Sequence, residues 1–273
     1  MSLSIEERTY LEKIFHLRFR IESGSQPQPD SGGTPVTESS RLQQEEGLEE
    51  TISLFAKIRE IDRLPIAASQ FTKFYSRMLC GVLYAMSVYR IGLDASLPSL
   101  SVAWDKEQPF TLILAPQGTS DPETLASGGD RNTWRAHTLA ALFTGNLQRL
   151  FCLLSGRYRL SPQMLWENAA VYVHHFYGEM IAGAAAGSDR ERITGDYCFL
   201  LSEEAAWLTG GSSFNPLGVE GRCIPHPAQP GVSFRVRKTC CLKYQLPGSG
   251  SCTTCPLITD EERSGKLTAG KPK

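Results

Sequence analysis

The sequence has no apolar run long enough to cross a membrane, no surplus of either charge and no nucleotide-binding fingerprint. A spanning helix needs about 20 predominantly apolar residues, yet the most apolar stretch, around Leu79 to Leu93, carries Arg90 within it. Lys and Arg number 28 against 29 Asp and Glu, a formal net charge of −1. General binders of nucleic acid or acidic membranes draw affinity from a cationic excess, so the balance argues against both. The opening MSLSIEERTYLEKI lacks the basic start and apolar centre of a secretory leader. The expectation is a cytoplasmic protein without stable membrane insertion and without a nucleic-acid partner. Neither G-x-G-x-x-G nor a P-loop occurs, and no flavin or nicotinamide fingerprint is evident. The carboxylates show no paired acid/base arrangement, and no internal repeat is present.

What is there is a chain of 273 residues, 41% hydrophobic and 21% charged, close to the globular average. Apolar residues at helical spacing (Tyr10, Ile14, Leu17, Ile21) predict a helix over Ile5 to Ile21. Residues 22–44 are rich in Ser, Gly, Pro and Gln and read as a mobile loop, because such a stretch buries too little apolar surface to offset its ordering entropy. Helical periodicity resumes near Glu46 and runs to Ile61; Pro65 interrupts it, and Ser69 is positioned to start a further helix through Val88. Ser99 to Trp104 and Pro109 to Leu114 suggest a hairpin. Helical stretches follow over Thr133 to Leu154, Pro162 to Ala186 and Arg190 to Thr209. Val232 to Lys238 alternates in and out as a short strand, and Asp260 to Lys273 reads as a frayed tail. The expected fold class is α+β, mainly helical, with helices around a small antiparallel sheet. That sheet would combine the hairpin with Val232 to Lys238. The expected organisation is a helical body over residues 1–231 and a C-terminal cluster-binding segment over 232–273.

The cysteines carry the chemistry. Of eight, four fall in a 16-residue window, Cys240, Cys241, Cys252 and Cys255, where even scatter would place about half of one. A disulfide framework does not suit a reducing cytosol, which leaves metal or redox chemistry. The pattern is C-C-x10-C-x2-C. Its C-x2-C half is a metal clip, since a tight turn aims both thiolates at one site. Adjacent side chains on a strand point in opposite directions, so Cys240 and Cys241 converge only where the backbone leaves extended geometry. A cluster of two irons suits that pair better than a small tetrahedral zinc ion. Pro247, Gly248 and Gly250 let the spacer fold back. Arg235, Arg237, Lys238 and Lys243 surround the first two cysteines; with Arg222 they make a candidate groove for an anionic substrate. Nearby cations also favour the reduced form of an anionic cluster.

The segment R-K-T-C-C-L-K-Y-Q-L-P-G-S-G-S-C-T-T-C-P resembles the C-terminal signature of the FhuF-type ferric siderophore reductases. A fainter likeness runs from Trp166 to Met180, as W-x-N-x10-E-M. The resemblance implies a [2Fe-2S] cluster held by Cys240, Cys241, Cys252 and Cys255, in a cytoplasmic protein that transfers one electron to chelated Fe(III). Fe(II) is held poorly by the hard oxygen donors of siderophores, so reduction frees the metal. With no dinucleotide site of its own, such a protein takes electrons from a ferredoxin, flavodoxin or flavin reductase and passes them to a ferric siderophore or citrate-type chelate. The body is also similar to the C-terminal part of the siderophore synthetases. The rival readings are a structural zinc module, a siderophore-binding protein without enzymatic activity, and a thiol–disulfide enzyme built on C-T-T-C. Cys80, Cys152 and Cys198 are expected as buried thiols in helices. Cys223, His226 and one of His174 or His175 remain candidates for places near the site.

Overall fold

The computed structural model describes residues 3–20, 36–104, 110–115, 119–120, 130–211, 214–218, 221–227 and 233–268. Helix α1 (Ile5–Phe15) opens on a capping box between Ser4 and Glu7 and stops at His16, whose backbone is left-handed with φ 53°. The expected single helix through Ile21 therefore ends early, and Leu17–Phe19 form strand β1. Of the loop expected over 22–44, residues 22–35 lie outside the described residues. Its end is ordered: Val36–Glu38 form β2 and Ser39–Leu42 the short α2. Pairing along the edge of a neighbouring strand orders Val36–Glu38, and Trp104 Nε1 donates to Thr37 Oγ1 at 2.9 Å.

Helix α3 (Glu45–Ile58) is followed by α4 (Leu64–Tyr84). Pro65 opens α4, where its missing N–H costs nothing, so the helix begins five residues before Ser69. After the short β3 (Gly92–Leu93), β4 (Leu100–Ala103) and β5 (Thr111–Leu114) make the expected hairpin, and β6 (Thr119–Ser120) pairs with β3. Then come α5 (Arg131–Leu142), α6 (Arg149–Tyr158), α7 (Pro162–Gly183) and α8 (Ser188–Leu201). The chain closes with β7 (Cys223–Pro225), β8 (Ser233–Arg235) and α9 (Asp260–Thr268).

The fold is mainly helical around a small sheet, as the α+β class requires. The sheet runs β1-β5-β4-β2, antiparallel except that β1 lies parallel to β5, with Leu17 opposite Leu112. Of the strand expected over Val232 to Lys238, Val232 lies outside the described residues and Ser233 to Lys238 does not join the sheet. Ser233–Arg235 pairs instead with Cys223–Pro225, and beyond it Val236 N–H donates to Arg222 O and Arg237 N–H to Thr254 O. The second of these bonds ties the segment to the cysteine region. The core lies between α4 and α7, where Phe55, Phe71, Tyr75 and Phe110 stack on one side and Phe143, Phe151 and Trp166 on the other. Cys80 is buried there, but Cys152 and Cys198 are exposed on the outer faces of α6 and α8. The tail is not frayed over its first residues. Thr259 and Glu262 form a capping box that starts α9, and Arg263 on that helix is fully buried.

One carboxylate is buried deep among the helices. Asp196 on α8 is fully enclosed; it accepts two bonds from Arg131, both at 2.8 Å, one from Ser87 at 2.9 Å, and a longer contact from Arg135. A π-type turn over residues 85–89, at the end of α4, places Ser87 there. Removing the carboxylate strands a guanidinium against the core, so Asp196→Ala should cost about 3–5 kcal/mol in urea unfolding. Glu49→Ala, which breaks the exposed pair with Arg157, should leave the unfolding midpoint in place.

Candidate metal centre

The cysteine segment is held to the helical body by polar anchors on α4 and α7, and is braced from within by α9. From α4, Ser69 Oγ and the Gln70 side-chain amide both donate to the carbonyl of Cys241, the first at 2.9 Å. Asn168 on α7 fixes Ser69 in turn, donating to its carbonyl at 3.1 Å and to Thr72 Oγ1 at 2.9 Å. Also from α7, the Glu167 carboxylate accepts the backbone N–H groups of Lys238 and Thr239, at 2.9 and 2.7 Å, and the Thr239 hydroxyl. From α9, the Arg263 guanidinium donates to the carbonyls of Thr253, Cys255 and Ile258. These backbone carbonyls and amides belong to turns, where no ladder would satisfy them; the side chains do so instead.

The backbone bends where the sequence demands it. Leu242 is left-handed, φ 63°, and its N–H points back to Cys240 Sγ at 3.4 Å. Gly248, at φ 67°, supports the return of the spacer. Cys255 N–H closes on Cys252 O at 3.0 Å, the tight turn of the clip. The four sulfurs fall into two close pairs. Cys240 and Cys255 Sγ are 3.9 Å apart, and Cys241 and Cys252 Sγ are 4.0 Å apart. Two sulfurs sharing one tetrahedral ion with bonds of about 2.3 Å would sit about 3.8 Å apart. Among the described residues no group of three or more His, Cys, Asp or Glu side chains gathers around a single ion position. Two pairs, each spaced for one metal, fit a two-iron centre better than one zinc ion. Thiolate is also the donor such clusters take.

Thiolate is favoured at one of these sulfurs. The Cys241 thiol is drawn down to about 4, first by the bond from Cys252, then by Lys73 and Arg237, against the cost of burial. Cys252, the donor in that bond, is pushed up, and Cys240 is pushed up by burial.

Thr254, next to Cys255 in the chain, also borders a cavity of about 300 Å³, with Glu167, His174, Arg235, Arg237 and Lys238 around it. Three of the five expected groove cations therefore face it. Arg222 is instead in a two-bond ion pair with Asp260 at 2.7 and 2.9 Å, and Lys243 lies in a short turn on the spacer. Arg237 is buried against Glu167 and the Met164 carbonyl, so it serves as an internal charge. Lys238 is exposed. Gly221 permits the approach of Arg235, whose side chain would stand 2.5 Å from a Cβ there. His174 lines the cavity. Arg235 donates to its Nε2 at 2.8 Å, and arginine has only donors, so Nδ1 carries the proton toward Tyr197 Oη at 2.6 Å. Cys223 is exposed on β7 opposite Arg235.

Residues 69–214 match the family described as ferric iron reductase FhuF-like transporter. The chain belongs to the FhuF family. Residues 237–257, which hold all four paired cysteines, match the FhuF 2Fe-2S C-terminal domain, and this segment carries a [2Fe-2S] cluster. FhuF membership brings an iron-related function. No curated protein matches the chain. Among solved structures, aerobactin synthetase IucC from a hypervirulent pathotype of Klebsiella pneumoniae is similar at 13% identity, over 70% of this chain and 36% of that one, with a TM-score of 0.45. The chain thus spans about a third of that synthetase's length. Among the described residues, no helix is long and apolar enough to cross a membrane.

Sequence reasoning did not foresee Lys73, Ser69, Gln70 or Arg263 at this centre. The first three lie some 170 positions upstream on a helix whose face reads as ordinary core. For Arg263 a signal existed: the T-x-x-E box at Thr259 announces α9. Asn168 did show itself, within the W-x-N likeness.

Burial and the Arg235 guanidinium hold the His174 imidazole down at about 4, against an ordinary 6.5. The unfolded chain takes up that proton near pH 6.5 and the folded chain only near 4, so stability is full above 6.5 and falls as pH drops. Between pH 7 and 5.5 the native protein should lose about 1 kcal/mol more than His174→Gln, read from urea midpoints.

Proposed function

We propose that this FhuF-family protein is a cytoplasmic ferric-chelate reductase. In this reading Cys240, Cys241, Cys252 and Cys255 hold the [2Fe-2S] cluster, and residues 232–273 act as the cluster-binding segment of the helical body. The observation that supports it is two pairs of cysteine sulfurs, each at metal-sharing distance, on a segment whose Lys238 and Thr254 border a cavity edged with cations. When bound, the cluster supplies one-electron transfer at a modest reorganisation cost. The protein's own groups do the rest. The anchors from α4, α7 and α9 keep the cysteines in place. Lys238 and Arg235 offer positive charge to an anionic ferric siderophore or citrate-type chelate at the mouth of the cavity. Arg237, buried and partly offset by Glu167, holds the field between cavity and sulfurs.

The energetics allow the reduction to run uphill. Each factor of ten in a one-electron equilibrium corresponds to about 59 mV, so a gap of about 180 mV is a thousandfold handicap. Trapping of Fe(II) by ferrous ligands overcomes a handicap of that size. The electron arrives from a separate carrier, such as a ferredoxin, flavodoxin or flavin reductase.

An anaerobic mixture of the protein, such a carrier and a ferric siderophore should yield Fe(II), captured by a ferrous chelator. Cys252→Ser should return the rate to that of the carrier alone. No Fe(II) above the carrier-only control would overturn the reading, and bound zinc without sulfide would favour a structural module. Ferric-chelate binding without reduction would favour a siderophore-binding protein. Lys238→Glu should raise KM for an anionic chelate several-fold while leaving kcat nearly unchanged; an unchanged KM would remove Lys238 from the cavity's role.

A further inference from the structure

The cations that the sequence places around the cysteines are not the closest positive charge to a sulfur in the structure. Lys73, on the third turn of α4, points its ammonium at Cys241 Sγ with an Nζ–Sγ distance of 3.6 Å. It is half-buried, and it comes from the same helix whose Ser69 and Gln70 grip the Cys241 carbonyl. One helix therefore fixes the position of this cysteine and charges its surroundings. Arg237 also faces Cys241 but is offset by the Glu167 carboxylate at 3.9 Å. Among the described residues, no carboxylate pairs with Lys73. Among the described residues, the hydrogen bond from Lys73 is the one that brings a full charge to these sulfurs; the others come from the Leu242 and Lys243 amides, the Thr254 hydroxyl and the cysteines themselves.

We propose that Lys73 is the residue that sets the reduction potential of this centre, and that it acts on one half of it, the half gripped by Cys241 and Cys252. The inference rests on the reading of the four thiols as cluster ligands. Its physical basis is direct. Accepting one electron, from dithionite or from a one-electron carrier protein, makes the site more negative by one charge, and no bond or proton need move at Lys73. A cation held against a ligand sulfur stabilises the more negative state, and half-burial weakens the screening that would erase the effect at the surface. The pairing by distance, Cys241 with Cys252 and Cys240 with Cys255, directs that stabilisation to one iron position. Lys73 is thus a positioning residue, acting through Cys241 and not on the chelate.

The test is a redox titration of the full chain, followed by visible absorption and by the EPR signal of the reduced form. Lys73→Gln and Lys73→Met should lower the equilibrium constant for reduction about tenfold, a downward shift of about 59 mV. Lys73→Arg should stay within about threefold of the native value, and Lys243→Gln, which removes a charge on the spacer, within about twofold. A neutral variant that keeps its cluster and titrates with the native protein overturns the proposal, as does a Lys243→Gln shift equal to that of Lys73→Gln. If neither neutral variant holds a cluster, Lys73→Arg decides: a potential near the native value supports the proposal, and a tenfold departure overturns it. Native protein without iron and labile sulfide would instead overturn the reading of the cysteines. An intact native cluster with an unmoved Lys73→Gln overturns only the role of Lys73.

Discussion

The centre depends on one backbone carbonyl being satisfied. Cys241 sits where the chain has left strand geometry and has not yet entered the next turn, so its C=O has no ladder partner. Ser69 and Gln70, one turn into α4, supply two donors, and Asn168 on α7 holds Ser69 in place. A buried carbonyl left without a partner costs about 1–3 kcal/mol, which is enough to move a short loop off its body. The seam between α4 and α7 is also the middle of the apolar core, so closely packed helices position an irregular segment. Glu167 and Arg263 repeat the device on either side. Each satisfies turn backbone that would otherwise need water, and the sulfurs are thereby pointed inward at fixed spacing.

The same seam arranges charge. Positive groups reach the cysteines from two directions: Lys73 from within α4, and Arg237 from the strand leading into the first cysteine. Glu167 does double duty, accepting backbone N–H groups at Thr239 and lying 3.9 Å from Arg237. The result is a centre whose thiolates are favoured at one sulfur before any metal arrives, on a segment that borders a cavity whose rim is cationic. His174 stays neutral at its wall because it is enclosed and faces Arg235. It can accept from the arginine only in that state, so the neutral ring and the position of Arg235 support each other.

Much of this was legible in the sequence, and the division follows from the range of the interactions. The cysteine pattern, the hairpin of β4 and β5 and the presence of the long helices are written in local spacing; the structure shows the hairpin and the helices, with some of their ends shifted. Pro65 was legible as a boundary but not as a beginning, since proline breaks and opens helices for the same reason. Residues 36–42 were misread because composition speaks for a segment alone; the edge of β4 is what orders Val36–Glu38. Asp260 onward was misread because its polar face hides one buried arginine, although the capping box at Thr259 was visible. Lys73 carried no local mark. Its significance comes from a contact with a residue 168 positions away, and one sequence holds no record of that contact.

The central claim is that the cysteine segment holds a redox-active two-iron cluster. Anaerobically purified protein, analysed for metal and acid-labile sulfide and then reduced for EPR, tests it most directly. The account predicts two irons and two sulfides per chain, and a signal from a single unpaired electron that appears only on reduction. Colourless protein holding zinc, with no sulfide and no signal in either state, would contradict it.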